Sequence, residues 1–326
     1  MRGLSERDTI PGRVLCNNFL VAGSIGKGAV SDVYLARQSS LGNRSVAVKV
    51  LKKVICASSG PSSSVHVKHF AFEAEMLHLC KSSAFAAVHD YGTLDDGDVR
   101  RPFMIMEYLS GALLSRYLEQ GQQFPLPLAA RIVLTIGEAL SELHRHKVTY
   151  RDLSPSNVML EEAGSYRLSP RLFDLSHAMR EGEEDQERMA IGRLLAGTPL
   201  YAAPELATGA GTASADVYSL AALCYALMAG RPPIKLATNT WEEYSAAMGK
   251  TKSLPEVPLR KLHKDFPRAL DLLLATCLSP HPGKRVQTMT EFVSRFALAV
   301  LDSNLVEGDS EDSSMSGALV RALLGK

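Results

Sequence analysis

Along this chain the spacing of apolar residues changes several times, and each change marks an element. Phe19–Ile25 reads as a strand running into a glycine turn, Gly26-Lys27-Gly28, and Val46-Ala47-Val48-Lys49 is a buried-type strand ending in a cation. The Ser-rich, Gly-Pro-containing stretch Ala57–Ser64 reads as a loop. After it, the spacing predicts a helix over about Val67–Leu79, with Phe70, Ala74 and Leu77 on one face. Leu128, Ile132, Ile136, Leu140 and Leu143 recur every three to four residues, the period of a core helix. A strand at Val158–Leu160, a polar turn at Glu161–Ser165 and the apolar run Leu172-Phe173-Asp174-Leu175 predict a hairpin. Asp216 opens a nearly all-apolar helix, Val217–Ala229. Asp302–Ser316 is acidic and Ser-rich, as solvated linkers are, and Gly317–Leu324 would suit a short amphipathic turn.

The polar loop before that hairpin, Tyr150-Arg151-Asp152-Leu153-Ser154-Pro155-Ser156-Asn157, carries the first chemistry. It places a carboxylate and an amide on one short segment stiffened by proline, an arrangement able to orient a hydroxyl beside a bound Mg²⁺. Taken alone the same residues are ordinary turn chemistry. The hairpin decides between these readings, because its return strand would bring Asp174 back beside Asp152 and Asn157. Downstream lies Gly197-Thr198-Pro199-Leu200-Tyr201-Ala202-Ala203-Pro204-Glu205. With that segment, the order of motifs resembles the eukaryotic-type (Hanks-type) serine/threonine protein kinases, whose motif logic is an established template.

The resemblance implies an α+β, bilobal protein-kinase-like fold: a small, mostly antiparallel β N-lobe with one helix, and a larger, mainly α-helical C-lobe. Residues 1–16 would be a tail, 17–300 the kinase domain (N-lobe about 17–106, hinge 107–111, C-lobe 112–300), and 301–326 an acidic tail. ATP would lie under Ile25, Gly26, Lys27 and Gly28, against Val33 and Ala47, with Lys49 on its α- and β-phosphates and Glu73 holding Lys49. Glu75 would be a solvated charge. Phe103–Leu109 looks like the last N-lobe strand entering the hinge, with Met106 as gatekeeper and Glu107 and Leu109 offering backbone groups to adenine. Asn157 and Asp174 would hold Mg²⁺ or Mn²⁺, and Asp152 would accept the proton of a substrate hydroxyl. Thr198 would line the acceptor site, and the Gly-Thr-Pro-x-Tyr pattern there resembles the serine/threonine branch. Asp216 would bond the catalytic-loop backbone, and Arg285 would pair with Glu205. The substrate would be a protein.

The chain departs from the family pattern at three points. Ser154 stands where the family usually has a lysine, Leu175-Ser176 follow Asp174 in place of Phe-Gly, and Ser31 replaces the third glycine of the phosphate loop. A nucleotide-binding pseudokinase scaffold is therefore the alternative. The presence of Lys49, Asp152, Asn157 and Asp174 together favours an active enzyme. Small-molecule phosphotransferases of the aminoglycoside or choline type share the nucleotide site, but they generally lack the Gly-Thr-Pro to Ala-Pro-Glu segment. Between His177 and Gly197 there is no Ser, Thr or Tyr to phosphorylate, whereas Glu181, Glu183, Glu184, Asp185 and Glu187 are acidic. Arg151, which in the family clasps an activation-loop phosphate, could meet one of these acids instead, making phosphorylation unnecessary. A merely solvated acidic loop is the other reading.

Charge and composition narrow the partners. With 36 Lys and Arg against 35 Asp and Glu, a net charge of +1 gives little general attraction to nucleic acid or membrane surfaces. The apolar run 217–229 is shorter than the roughly 20 residues a bilayer span needs, and Met1–Arg13 lacks the apolar core of a signal peptide. Cysteines 16, 56, 80, 224 and 277 have neither paired nor metal-ligand spacing, which suits reduced packing residues of a cytoplasmic protein. The sequence leaves the oligomeric state open.

Overall fold

In Arg44–Leu51 every residue from Val46 onward is buried, because both faces of the strand are covered: Val46, Val48 and Val50 enter one apolar core, and Ala47 and Lys49 turn the other way. This strand belongs to a computed structural model that describes residues 10–58, 61–162, 168–182, 199–208, 211–238, 240–251 and 254–302. The described residues form two units, one reaching Lys81 and resuming at Ala86–Ser110, the other made of Ser82–Phe85 and the chain from Gly111 on.

The first unit is a six-stranded sheet in the order β1-β2-β3-β4-β6-β5. Its strands are β1 (Val14–Leu15), β2 (Phe19–Lys27), β3 (Ser31–Gln38), β4 (Arg44–Leu51), β5 (Val88–Asp96) and β6 (Val99–Glu107), with every neighbouring pair antiparallel. Phe19, Val21, Tyr34, Phe103 and Ile105 join the three valines in its core. Burying each such side chain stabilises the fold by about 1.5–3 kcal/mol, an upper bound set by an extended unfolded chain.

Three expectations need correction here. Ile10, fully buried in this core, and β1, paired with β2, lie before residue 17, so the folded unit includes residues assigned to the tail. The unit has two helices, a short one at Lys53–Ala57 and a long one at Pro61–Leu79. Most of the expected Ala57–Ser64 loop is therefore helical, because proline fits the first turn of a helix, where its missing N–H costs nothing.

The second unit is mainly helical. Its 20-residue helix Leu126–Arg145 buries Ile132, Ile136, Leu140 and Leu143 completely, as the period predicts, while Leu128 is half-buried. It packs on the helices Ala213–Ala229 and Met289–Leu301. The middle helix starts three residues before Asp216, which sits in its first turn and does not open it. β9 (Val158–Glu162) and β10 (Leu168–Leu172) form the expected hairpin, pairing Val158 with Leu172, and β7 (Ala112–Leu113) adds to β9. Gly111 lets this edge close: a Cβ there would stand 2.1 Å from the carbonyl oxygen of Leu160. Two further short strands, β8 (Val148–Thr149) and β11 (Met179–Arg180), flank the polar loop and pair with each other.

Candidate active site

In the first unit, sheet register aligns the candidate nucleotide residues. Gly26 pairs with Val33, Val33 with Lys49 and Lys49 with Met104, and two residues along, Leu35, Ala47 and Met106 form a parallel row. Residues directly opposed across a sheet share a face, so Val33, Ala47, Lys49 and Met106 lie on one side of it. The β2–β3 hairpin carries two register shifts, at Val21/Gly23 and Ser24/Gly26, which re-aim its tip. At the tip Gly28 donates its N–H to the Ser31 carbonyl at 2.9 Å, and a Cβ on Gly28 would stand only 2.9 Å from that same oxygen. Ile25, Lys27 and Gly28 are exposed.

Lys49 is 5% exposed and Glu73 2%, yet they meet: Lys49 Nζ donates to Glu73 Oε1 at 2.7 Å and to Oε2 at 2.9 Å. The helix Pro61–Leu79 brings Glu73 there and leaves Glu75 on an exposed face. Two buried charges of this kind persist only when each neutralises the other. Met106 is buried, Leu109 half-buried, and the Glu107 N–H donates to the Ala87 carbonyl at 2.8 Å. Of the Glu107 backbone groups, the carbonyl is therefore the one suited to meet a ligand.

In the second unit, the loop after β8 is hung from the helix core. Asp216, fully buried, accepts the Tyr150 N–H at 2.7 Å, the Arg151 N–H at 2.8 Å and a contact from His144 Nε2 at 2.8 Å. This anchorage holds Arg151 in the left-handed region at φ +68°, a conformation unusual for a residue with a side chain. The Arg151 guanidinium lies against Met179 Sδ, and its burial lowers its proton affinity, partly offset by Asp216.

The next residues make the reactive set. The Asn157 amide Nδ2 donates to the Asp152 carbonyl at 2.8 Å and to Asp152 Oδ2 at 2.7 Å. Asp174 follows β10, and its Oδ1 accepts the Ser176 N–H at 2.9 Å, which fixes the carboxylate. Leu175 is 1% exposed and Ser154 2%. Burial pushes the Asp152 carboxyl up to about 6, with repulsion from Asp174 in the same direction and His177 and the Asn157 hydrogen bond opposing it. A carboxylate poised near neutrality suits a general base.

His177 escaped sequence reasoning. Its Nε2 is 3.8 Å from Asp152 Oδ2. The hairpin that returns Asp174 returns His177 with it, so the signal lay in the same turn but carried no motif. Thr198 lies outside the described residues, as do the acids 183–187 and the tail beyond Asp302. Glu205 and Arg285 form a two-fold ion pair, Nη1 to Oε1 at 2.7 Å and Nη2 to Oε2 at 2.8 Å.

The donor chemistry fits a hard divalent cation. With both Nδ2 protons of Asn157 directed at Asp152, its amide oxygen is the atom suited to a metal, and Asp174 supplies a carboxylate. A cation near these oxygens would also relieve the repulsion between Asp174 and Asp152.

A lysine clamped by a helix glutamate in one unit, and an acid, an amide and a second acid gathered in the other, are the groups that phosphoryl transfer from a nucleotide requires. The protein kinase domain family matches residues 19–296 of the chain. Serine/threonine-protein kinase PknB of Mycobacterium leprae is 28% identical over 278 residues, 85% of this chain and 42% of that protein. Serine/threonine-protein kinase Pkn3 of Myxococcus xanthus is 26% identical over 324 residues, 98% of this chain and 56% of that protein. The chain thus spans between two-fifths and somewhat over half of these relatives' length. The crystal structure of the PknI kinase domain of Mycobacterium tuberculosis superposes with a TM-score of 0.60 at 23% identity, covering 88% of this chain and 98% of that one. The chain belongs to the protein kinase domain family, which uses ATP and a divalent metal. Among the described residues no helix is long and apolar enough to cross a membrane.

Proposed function

We propose that this chain is an active serine/threonine protein kinase that transfers the γ-phosphoryl group of ATP to hydroxyls of a protein substrate. The observation that carries this reading is the Asp152–Asn157–Asp174 constellation, with Asp152 held by Asn157 and tuned to about 6. Asp152 accepts the proton of the attacking hydroxyl, while Lys49, fixed by Glu73, neutralises charge on the nucleotide phosphates. Asn157 and Asp174 would hold the cation, Mg²⁺, which when bound would supply electrostatic stabilisation of the phosphates. Ile25, Gly26, Lys27, Gly28, Val33, Ala47, Met106, Glu107 and Leu109 hold the nucleotide, and Thr198 orients the acceptor. Five free cysteines, three of them buried, suit a reducing compartment such as the cytoplasm.

The test is transfer of labelled γ-phosphate to Ser or Thr of a generic basic protein, beside Asp152→Asn and Asp174→Asn. Transfer by the native chain and not by the variants supports the reading. Equal transfer by all three, or none by any, overturns it.

Activity without activation-segment phosphorylation is part of the same proposal. Among the five acids expected to stand in for a phosphate, only Glu181 lies in the described residues, where its N–H donates to the Lys147 carbonyl at 2.7 Å. Replacing all five with Gln or Asn should lower activity severalfold, and unchanged activity would end this part of the reading.

A further inference from the structure

In the helical unit, a hollow of about 520 Å³ is bounded by Phe266, Ala299 and the cations Arg260, Lys264 and Arg268. All three cations are exposed, and among the described residues none of them forms an ion pair. The helix Arg268–Cys277 starts at the same place. Pro267 at its cap offers no side-chain acceptor, so the positive end of the helix dipole adds to the field of the cations. Two acids also line the hollow, Asp265 and Asp302. Asp302 matters for another reason: it is the point from which the chain continues into Ser303–Ser316. That segment carries Glu307, Asp309, Glu311 and Asp312 and not one Lys or Arg, and Leu305 and Val306 precede the acids.

We propose that this hollow receives the acidic segment Ser303–Ser316 of the same chain. Three features select this occupant. The segment leaves from the rim of the hollow, so the effective concentration of its acids is far above that of any free peptide. At up to ~3.3 Å per residue, positions 307–312 can reach about 17–33 Å from Asp302, more than enough to come over Arg260, Lys264 and Arg268. The charges are complementary: three cations against two acids line the hollow, and the segment carries four acids and no Lys or Arg. None of the residues lining the hollow belongs to the candidate catalytic set, so the docking belongs to assembly or regulation and not to the phosphoryl-transfer chemistry.

Zero-length carbodiimide coupling of the full chain, mapped by mass spectrometry, tests this. Lys264 should join to one or more of Glu307, Asp309, Glu311 and Asp312 within single chains. The yield should drop at least ~5-fold in about 0.5 M NaCl, where surface attraction is screened. It should drop similarly when the four acids are replaced together by Gln and Asn. The charge swap Lys264→Glu, Arg268→Glu should abolish coupling between the two regions, and adding Glu311→Lys, Asp312→Lys should restore it. Links found only between two chains, a yield indifferent to salt and to the acids, or failure of the double swap to restore coupling would each overturn the proposal. These surface substitutions leave the catalytic residues untouched, and basal activity serves as the control for folding.

Discussion

Two ion pairs with a buried cation, Lys49–Glu73 in the sheet unit and Glu205–Arg285 in the helical unit, look alike and do different work. Lys49 is gripped by the two oxygens of one carboxylate. Arg285 is held on all sides: twice by Glu205, by the Ser279 carbonyl at 2.8 Å, by the Ser214 carbonyl at 3.3 Å, and by the Tyr218 ring 4.9 Å from its guanidinium carbon. A planar five-donor guanidinium so enclosed is a fastener for the loops around it. A compact ammonium held across both oxygens of Glu73 is a placed charge, positioned by the helix Pro61–Leu79. The kind of cation and the elements that hold it, more than burial or distance, separate the pair that supports chemistry from the pair that supports the fold.

The largest effect should come from Asp152→Asn, which removes the base and should lower phosphoryl transfer about 10³-fold with little change in melting temperature, read by transfer assay and calorimetry. Arg285→Ala should cost about 3 kcal/mol in urea denaturation, because it empties a buried site and takes two charged hydrogen bonds from the partly buried Glu205 carboxylate. The double variant Lys49→Met, Glu73→Gln sharpens the contrast. Transfer should fall on the order of 10²-fold or more while stability changes less than in Arg285→Ala, since both charges of this pair are removed together. A large stability loss there would erase the distinction drawn between the pairs.

A third buried pair gives a pH test. Burial alone would raise the Asp96 carboxyl, but Arg101, at 2.9 Å, and Lys53 outweigh it and hold it below the usual range. Its folded value is depressed, so its contribution is fully present above the unfolded carboxylate range and is lost as pH falls through the folded value. Asp96→Asn should therefore destabilise by about 1–3 kcal/mol at pH 7, and the gap to the native chain should close only below about pH 4. Smallest of all, Ser154→Ala should cost about 1 kcal/mol of barrier, roughly five-fold in kcat, if its hydroxyl takes part of the work of the missing lysine.

Much of this architecture was legible because it is local. The Tyr150–Asn157 loop, the Val158–Leu172 hairpin and the Leu126–Arg145 helix follow from spacing alone, and motif order tied Lys49 to Glu73. What escaped is non-local or ambiguous. Ser-Ser-Gly-Pro-Ser reads equally as a loop or as a helix entry, and only packing of the Pro61–Leu79 helix resolves it. Ile10 joins the core through a pairing of two residues in β1, too short for any periodicity. His177 approaches Asp152 through the return of a hairpin, a distance that no linear pattern encodes. The row Gly26–Val33–Lys49–Met104 is a matter of register, which emerges only when strands are laid side by side.

The anchorage of the reactive loop to Asp216 has a thermal consequence. Three bonds tie Tyr150, Arg151 and His144 to a carboxylate in the first turn of a helix buried from Ser214 through Ala229, so the loop cannot fray on its own. Heating should then leave turnover rising smoothly until the helical unit itself melts. Loss of activity and loss of helical signal should fall on the same curve, with no interval in which a folded chain has gone silent.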